Sequence, residues 1–571
     1  MNRFRIKIAA ESGAGLLSTG DILIHAFKDM GFYTVADREY PSLIKGGHSC
    51  YTLNISTQKI HALSREVDLL LAIDKSAFRF YLKDLKEGGV LLHAYDREEG
   101  LKSFLQSMDA NHVQIFSLRG REIAESVGGS VLMSNVVLIG MIWKYLDLPY
   151  EVIEKEMIRQ FADKPKLLAI DLKCLRTAYE QMEVGLSLEL PKKSAPKMLM
   201  DGNKALALGA VHGECQIYYA YPMSPSSTIL THLSDWAPET GMLVKQVEDE
   251  ISVANMAIGS MHMGARTLVA TSGGGFDLMT ESVSLAGITE TPLVVIIAQR
   301  PGPGTGLPTW TAQADLNLAV HAAHGEFAKV VMAVSDPSDA FDLIQHAFNL
   351  AEVHQTPVIL LTEKVIAESI LSTESFEQNK IPIQRGFTDP SEIKSGSERY
   401  ALTESGLSKR WIPGSNPHYY FANGDEHGED GSLTEEAEMC QAMMEKRMKK
   451  LKLIEAALPE PEVFGEASAQ ISFVGWGSSK SAMLDAIKIL AEQGIEVNYL
   501  HFSYLFPLKT DRLKAFFDEN RQVHLIEGNH QGQLGAMVES ALRRDFAAKL
   551  LKYNGRPFFV EDVLNHVHQA L

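Results

Sequence analysis

Residues 267–300 have the sequence TLVATSGGGFDLMTESVSLAGITETPLVVIIAQR, and this stretch decides the fold of the chain. The run TLVAT predicts a strand that enters a glycine-rich turn, and FDLMTESVSLAG has the spacing of a helix. The run PLVVIIAQR is apolar without interruption, as is typical of a strand buried in a parallel sheet. A strand, a helix and a second buried strand in this order predict an α/β fold.

The same alternation extends in both directions through residues 202–367. GNKALALGAVHGE and EDEISVANMAIGSMHMG have helical patterns, whereas CQIYYAYP, KVVMAV and PVILLTE have the patterns of strands. We expect residues 202–367 to form one α/β domain.

The N-terminal residues 1–187 predict another α/β domain. FRIKIAA is a strand pattern, Ser12-Gly13-Ala14-Gly15 is a turn of small residues, and LLSTGDILIHAFKDMG is helical, which is the opening of a doubly wound fold. The strand patterns YTVAD, YTLNIS, DLLLAI and GVLLHA follow. Residues 188–202 mix Pro, Lys and Gly without periodicity, which indicates a linker.

The C-terminal part divides at a polar segment. Residues 368–455 contain many charges and one amphipathic helix pattern with a basic second half, EMCQAMMEKRMKKLKLIEAA, and we expect a connecting segment there. Residues 469–571 alternate the strand patterns ISFVGW, IEVNYLHF and QVHLIEGN with helices. The predicted fold class is therefore α/β, with several doubly wound domains.

The composition excludes several classes of protein. The 571 residues suggest three or four domains, and 54 Lys and Arg against 72 Asp and Glu give a net charge of −18, which argues against nucleic-acid binding. Four separated cysteines argue against disulfides and against a zinc or Fe–S site held by this chain alone. The first residues do not resemble a signal peptide, and no apolar run reaches the length of about 18 residues that a membrane span needs. We expect a soluble cytoplasmic protein.

Two segments of residues 202–367 contain candidate functional groups at helix starts. Tyr221-Pro222-Met223-Ser224-Pro225-Ser226-Ser227 follows a strand pattern, and serines at a helix start leave free N–H groups for an anion. An ordinary capped connection explains the same residues. In Glu248-Asp249-Glu250 a solvated helix start is the default interpretation. However, Glu250 leads the apolar positions Ile251, Ala254 and Ile258, so it is a candidate for an inward-facing carboxylate that needs a partner.

Two further candidates follow strand patterns. Thr271-Ser272-Gly273-Gly274-Gly275 would allow a ligand to approach the backbone closely, although any tight turn could use these glycines. Arg300 ends PLVVIIAQR, and ligands of open α/β sheets bind outside the carboxyl ends of strands. An arginine there is either a bidentate clamp for a carboxylate or a surface residue at a strand end.

Together these segments resemble one family. YPMSPSS (221–227), EDEISVANMAIGSMHMGAR (248–266), residues 270–309 through GLPT, and ANGDEHGEDGSLTEE (422–436) are similar to the α subunit of thiamine-diphosphate-dependent 2-oxoacid:ferredoxin oxidoreductases, most closely the 2-oxoglutarate type. GAGLLSTG and REYPSLIKGGHSC resemble the family's γ domain, fused here at the N-terminus. WGSS and IEGNHQGQL resemble its transketolase-C-like domain.

The resemblance implies decarboxylation of a 2-oxoacid by thiamine diphosphate, transfer of electrons through Fe–S clusters to ferredoxin, and transfer of the acyl group to CoA. It assigns Glu250 to the aminopyrimidine ring of the cofactor, in the pyrimidine-binding domain 202–367. It assigns Ser224, where the family usually has Thr, and Arg300 to the substrate carboxylate. The remaining implied contacts are Tyr221, Pro222, Ser272 and Gly273 with the cofactor, and Leu307 and Thr309 with the substrate.

The chain lacks the GDG motif that binds the diphosphate and Mg²⁺ in thiamine enzymes. The resemblance therefore implies a β subunit that carries GDG, Mg²⁺ and a [4Fe–4S] cluster, in an (αβ)2 complex, with no metal on this chain. Because this chain is acidic, ferredoxin should dock on the partner. The alternatives are the same reaction on pyruvate or a branched-chain 2-oxoacid, a single-chain thiamine enzyme related to transketolase, and a non-enzymatic nucleotide-binding protein based on GAGLLSTG.

Overall fold

The computed structural model describes residues 3–11, 15–42, 47–95, 113–192, 197–394 and 396–571. The predicted turn at Ser12–Ala14 therefore lies outside the described residues, as do residues 43–46 and 193–196. The chain forms two compact units. Unit 1 comprises Met1–Met200, Ser369–Ser375 and Phe559–Asn565, and unit 2 comprises Asp201–Glu368, Phe376–Phe558 and His566–Leu571.

The strands are numbered in chain order. They are β1 (Arg3–Glu11), β2 (Tyr33–Glu39), β3 (His48–Ser56), β4 (Val67–Ala72), β5 (Leu85–His93), β6 (Gln114–Ser117), β7 (Met198–Met200), β8 (Ile217–Ala220), β9 (Leu243–Gln246), β10 (Thr267–Thr271), β11 (Leu293–Gln299), β12 (Val330–Ala333), β13 (Pro357–Glu363), β14 (Ile370–Thr373), β15 (Glu462–Gly465), β16 (Ile471–Trp476), β17 (Val497–Phe502), β18 (Tyr504–Phe506), β19 (Val523–Glu527) and β20 (Ala548–Leu551).

The helices are numbered in the same way. They are α1 (Leu16–Asp29), α2 (Lys75–Tyr81), α3 (Gly120–Ser126), α4 (Ser134–Tyr145), α5 (Tyr150–Gln160), α6 (Pro165–Gln181), α7 (Gly202–His212), α8 (Ser227–Thr240), α9 (Glu250–His262), α10 (Gly273–Ile288), α11 (Leu316–His321), α12 (Pro337–His354), α13 (Lys364–Glu368), α14 (Ala437–Ala457), α15 (Ser479–Glu492), α16 (Asp511–Glu519), α17 (Gln533–Leu542) and α18 (Val560–Ala570). Short 3-10 turns lie at Leu82–Asp84, Val131–Met133 and Pro390–Glu392.

Unit 1 contains a mixed sheet with the strand order β6-β5-β4-β1-β3-β2-β14-β7. Strands β1, β4, β5 and β6 pair in parallel, whereas β3 pairs antiparallel with both β1 and β2. Strand β7 pairs antiparallel with β14, so the predicted linker 188–202 contains a strand and the linker prediction is wrong there. Its three residues, Met-Leu-Met, are too few to stand out among neighbouring Pro and Lys.

Unit 2 contains two sheets, and the larger has the order β18-β12-β13-β11-β10-β8-β9. Six strands pair in parallel, and β18 joins the edge antiparallel to β12. Every residue of β11 is buried, in agreement with the uninterrupted apolar run. After β8, the chain forms β9 on one side of β8 and then β10 on the other side of β8. Ligands of open α/β sheets bind where the direction of succession reverses in this way.

The smaller sheet of unit 2 has the order β15-β17-β16-β19-β20. Strands β16, β17, β19 and β20 are parallel, as predicted for the C-terminal α/β region, and β15 is antiparallel. Because β15 spans Glu462–Gly465, this sheet begins before residue 469. The half-exposed residues of β15 lack the apolar run that identifies the other strands.

The start of three helices in unit 2 is fixed by an aspartate. Asp201, Asp249 and Asp336 each accept a hydrogen bond from the backbone N–H three residues later, at the start of α7, α9 and α12. Such caps satisfy N–H groups that have no partner inside the helix. Helix α10 begins without a side-chain cap, and Gly273, Gly274 and Gly275 form its first turn rather than a loop before it.

The basic half of the long helix α14 is buried in ion pairs. Lys446 and Lys450 both contact the carboxylate of Glu290, and all three side chains are at most 2% exposed. A second buried cluster joins Glu352 to Arg266 at 2.6 Å and to Arg410 at 3.4 Å. Through Arg410, Lys446 and Lys450, the segment after residue 376 is joined to α12 and to Glu290, which lies between α10 and β11.

Candidate active site

The predicted site residues lie at the carboxyl ends of three neighbouring strands. Tyr221 to Ser224 follow β8, Ser272 follows β10, and Arg300 follows β11. The sheet order places the parallel strands β8, β10 and β11 side by side, so these residues lie together at the carboxyl ends of the strands. The direction in which successive strands are added reverses at β8, and a ligand crevice is expected at the carboxyl end of the sheet there.

Glu250 and Thr271 point at the same place. Glu250 is 4% exposed, and its carboxylate makes no hydrogen bond or ion pair with the described residues. The Thr271 hydroxyl is also buried, and it has no hydrogen-bond partner among those residues. A Cβ at Gly275 would collide with Thr271 Oγ1 and would lie 2.6 Å from Glu250 Oε1 and 2.9 Å from Met223 Sδ. Gly275 therefore leaves room where two unsatisfied oxygen groups converge.

The inward orientation of Glu250 agrees with the prediction, but one position of the apolar face was wrong. Ile251 is 48% exposed, whereas Ala254 and Ile258 are buried as expected. Successive residues on a helix are rotated by about 100°, so Glu250 shares its face with residue 254 and residue 251 turns outward.

Ser224 and Arg300 are in direct contact. Arg300 Nη1 donates a hydrogen bond to the main-chain carbonyl of Ser224 at 2.8 Å. The Ser224 hydroxyl takes no part in this bond, and both side chains are partly exposed. Burial lowers the pKa of Arg300, and the attraction of Asp315 opposes that effect. Two groups predicted for the same end of a substrate therefore lie together.

The serines after β8 do not cap the next helix. Ser226 occupies the N-cap position of α8, but its hydroxyl donates to the carbonyl of Met223 at 2.6 Å. Ser272, fully buried, donates to Met223 Sδ at 3.4 Å. Met223 is thereby held between the two strand ends, beside the space at Gly275.

Asp315 is a site residue that sequence patterns missed. A Cβ at Gly273 would lie 2.6 Å from Asp315 Oδ2, so this carboxylate faces the first residue of α10. Its backbone N–H donates to Gln299 Oε1 at 3.0 Å. Burial and the nearby Asp277 raise the pKa of Asp315 to about 6, against the attraction of Arg300. The one sequence signal that could have identified Asp315 as a candidate is its position directly before the short helix α11.

The smaller sheet fixes the loop that carries Asp315. Gln313 Nε2 donates to Glu363 Oε1 at 3.0 Å and to the Trp476 carbonyl at 2.9 Å, and its own Oε1 accepts from Gly528 N at 2.7 Å. The N–H of Ser478 donates to Glu363 at 2.9 Å. WGSS and IEGNHQGQL thus hold the loop between β11 and α11.

The other predicted residues surround this arrangement. Thr309 is 5% exposed, Leu307 is 43% exposed and Tyr221 is 39% exposed, while Pro222 is also exposed. Gly273 is partly exposed at the start of α10. The groups near Gly275 are buried and form the inner end of the candidate site, whereas Leu307 and Tyr221 are exposed and form its outer end.

The inner end suits a nitrogen heterocycle such as a pyrimidine. A buried carboxylate without a partner can exchange a proton with a ring nitrogen, and an orphan hydroxyl can bond a polar ring substituent. In the described part of the chain, no three His, Cys, Asp or Glu side chains are arranged to hold a metal ion. No helix there is long and apolar enough to cross a bilayer.

Comparison with known proteins shows which family the chain resembles. Residues 208–446 match the family described as pyruvate flavodoxin/ferredoxin oxidoreductase, thiamine diphosphate-binding, and residues 5–181 match pyruvate ferredoxin/flavodoxin oxidoreductase. The chain is 30% identical to a 2-oxoacid:ferredoxin oxidoreductase subunit alpha of Sulfolobus sp., over 97% of this chain and 95% of the relative. It is 28% identical to the 2-oxoglutarate oxidoreductase subunit KorA of Mycobacterium tuberculosis, over 99% of this chain and 91% of the relative.

A solved structure resembles the whole chain. A 2-oxoglutarate:ferredoxin oxidoreductase from Magnetococcus marinus, with 2-oxoglutarate, coenzyme A and succinyl-CoA bound, aligns with a TM-score of 0.92 at 26% identity and covers 100% of this chain and 99% of its own. The predicted family and α/β fold are confirmed. This chain belongs to the family of 2-oxoacid:ferredoxin oxidoreductase α subunits.

Proposed function

We propose that this chain is the α subunit, with a fused N-terminal γ domain, of a thiamine-diphosphate-dependent 2-oxoglutarate:ferredoxin oxidoreductase. The reaction converts 2-oxoglutarate, CoA and oxidised ferredoxin to succinyl-CoA, CO₂ and reduced ferredoxin, and it is reversible. The observation that supports the proposal best is the buried, unpartnered carboxylate of Glu250 beside Thr271 and Gly275, in a chain that aligns over its whole length with a 2-oxoglutarate enzyme.

Thiamine diphosphate, when bound, supplies the carbon nucleophile that decarboxylates the 2-oxoacid. In our proposal Glu250 holds and exchanges a proton at a nitrogen of the pyrimidine ring, as a general acid–base group within hydrogen-bond reach of that nitrogen. Tyr221, Pro222, Ser272 and Gly273 line the cofactor.

Arg300 and Ser224 bind the 1-carboxylate of the substrate. Their contact at 2.8 Å keeps the guanidinium oriented before substrate arrives. A fixed guanidinium can pair with both carboxylate oxygens. Leu307 and Thr309 contact the rest of the substrate, which enters from the exposed side of Leu307.

The rest of the catalytic apparatus is proposed for a partner. Because the sequence has no GDG motif, we assign the diphosphate site, Mg²⁺ and a [4Fe–4S] cluster to a β subunit in a cytoplasmic (αβ)2 complex, and we place the ferredoxin contact on that subunit. In the fused chain, we assign residues 1–187 to the γ-type domain, 202–367 to pyrimidine binding and 368–455 to a connecting segment. The C-terminal α/β region, whose sheet begins with β15 at Glu462, is assigned to the transketolase-C-like domain.

A substrate panel with the reconstituted complex tests this function. We expect CoA-dependent reduction of ferredoxin, with a higher kcat/KM for 2-oxoglutarate than for pyruvate or branched-chain 2-oxoacids. Omission of CoA and of thiamine diphosphate provides the controls. A complex that prefers pyruvate would contradict the assigned substrate, and one that reduces ferredoxin with no 2-oxoacid would contradict the reaction.

A further inference from the structure

Arg556 is held flat against an aromatic ring beside the candidate site. The central carbon of its guanidinium lies 3.3 Å from the ring centroid of Trp310. Its backbone N–H donates to Asn554 Oδ1 at 3.1 Å, and Gly555 adopts a left-handed φ of +78°, which suits glycine. The N–H of Thr311 donates to the Gly555 carbonyl at 3.3 Å. Both sides of the stack are therefore fixed.

The guanidinium of Arg556 is stacked on Trp310 but is not neutralised within the described part of the chain. Among the residues the structure describes, no carboxylate forms an ion pair with it, and its one side-chain hydrogen bond runs from Nη1 to the Asn554 carbonyl at 3.4 Å. A guanidinium has five N–H donors in one plane, and stacking on Trp310 covers the face while leaving the edge free. The natural complement of such an edge is an anionic oxygen group, either a carboxylate or a phosphate.

Arg300 and Arg556 both adjoin the segment 301–310, Arg300 because it precedes Pro301 and Arg556 because it stacks on Trp310. Pro301 follows Arg300 and Gly555 precedes Arg556, and a Cβ at Gly555 would lie 3.7 Å from Pro301 Cγ. The same Cβ would lie 3.1 Å from Leu307 Cδ1. The exposed side chain of Leu307 thus lies close to the loop of Arg556 and follows Arg300 by a few residues.

We propose that Arg556 recognises the distal carboxylate of a dicarboxylic 2-oxoacid. A guanidinium, an apolar side chain and a second guanidinium match a substrate with a carboxylate, a short methylene chain and a second carboxylate. The inference rests on the proposed function and adds to it the residue that selects the substrate. A monocarboxylic 2-oxoacid would use Arg300 and leave Arg556 unpaired.

The test compares Arg556→Gln, Arg556→Lys and the control Arg512→Gln in the assembled complex. Arg512 is an exposed arginine of unit 2. We expect Arg556→Gln to lower kcat/KM for 2-oxoglutarate by about 10- to 100-fold, the range of a lost charge-assisted contact, with less than about 2-fold change for pyruvate. Arg556→Lys keeps the charge without the planar fork, so its kcat/KM for 2-oxoglutarate should lie between those of the wild type and Arg556→Gln. The KM for CoA should not change.

Glutarate gives a readout without turnover, because it has two carboxylates and no reactive carbonyl. Its Kd, measured by calorimetry on the complex, should rise with Arg556→Gln and not with Arg512→Gln. A wild-type complex inactive on all 2-oxoacids would count against the proposed function, whereas unchanged glutarate binding in Arg556→Gln would overturn the role of Arg556. A raised KM for CoA with every 2-oxoacid would also overturn it and assign Arg556 to a CoA phosphate. An equal loss of kcat for all substrates would mean that Arg556 is structural.

Discussion

Arg300 and Ser224 are joined by a hydrogen bond of 2.8 Å from Nη1 to the main-chain carbonyl, across two strand ends of one sheet. Because the acceptor is backbone, this bond orients the guanidinium whatever side chain stands at position 224. The Ser224 hydroxyl remains available beside it. This pair is the site that we propose for the 1-carboxylate of the substrate.

Arg300→Lys keeps the charge of this site and removes the planar fork, so the substitution is not conservative. A lost charge-assisted contact costs about 1.5–3 kcal/mol, which is roughly 10- to 150-fold in kcat/KM at 25 °C. We expect that loss for every 2-oxoacid, because all share the 1-carboxylate. Steady-state kinetics with 2-oxoglutarate and pyruvate measure it, with Arg512→Lys as the control. A loss confined to dicarboxylic substrates would show that Arg300 binds the distal carboxylate instead.

Asp315→Asn tests the electrostatics at the start of α10. Burial raises the pKa of Asp315 to about 6 from its ordinary 3.8, so the folded protein holds this proton between those pH values while the unfolded chain releases it. The penalty for ionising Asp315 in the fold is absent below about pH 4 and grows until about pH 6, where it reaches roughly 2–4 kcal/mol. The variant avoids this penalty.

The thermal midpoint of Asp315→Asn relative to wild type should therefore increase between pH 4 and pH 6.5 and then level off. Scanning calorimetry across this range measures it. Asp545→Asn, at an exposed aspartate, is the control and should show no such trend. A difference that stays constant with pH would mean that Asp315 titrates normally in the fold.

Glu290→Gln tests the ion pairs that hold α14. Burial alone would raise the pKa of Glu290, but Lys450, Lys446 and Arg399 hold it at about 2. Glutamine would leave two buried lysines without a counter-charge, which typically costs about 3–5 kcal/mol. Urea unfolding should show that loss, and the exposed Glu281→Gln on α10 should change stability by less than about 0.5 kcal/mol. Equal stability of the two variants would contradict the account of this cluster.

Some of the site could be predicted from the sequence, because it depends on local patterns. Arg300 ends an uninterrupted apolar strand, and Glu250 begins a helix whose buried positions recur every three to four residues. Asp315 and Arg556 could not be predicted in this way. Asp315 faces Gly273, and Arg556 stacks on Trp310. Each contact joins residues that are distant in sequence, and no local periodicity encodes such contacts. The pairing of β7 with β14 was missed for the same reason.

The chain expressed without a partner should be folded, colourless and inactive. Its four cysteines are free, and three of them are buried far from one another in sequence. Iron and acid-labile sulfide analysis of the purified chain should find neither in stoichiometric amount. Stoichiometric iron and sulfide on this chain would place the cluster here rather than on the proposed β subunit.

The turnover of Glu250→Gln in the assembled complex tests the central claim most directly. Glutamine keeps the size of the side chain and removes the carboxylate to which we assign proton exchange with the pyrimidine. We predict a loss of at least about 100-fold in kcat, the range of general acid–base catalysis, with thiamine diphosphate binding less affected. Glu248→Gln is the matched control, because Glu248 is exposed and its carboxylate accepts a hydrogen bond from the Ser252 hydroxyl at 2.8 Å. Near-normal turnover in Glu250→Gln would contradict the account.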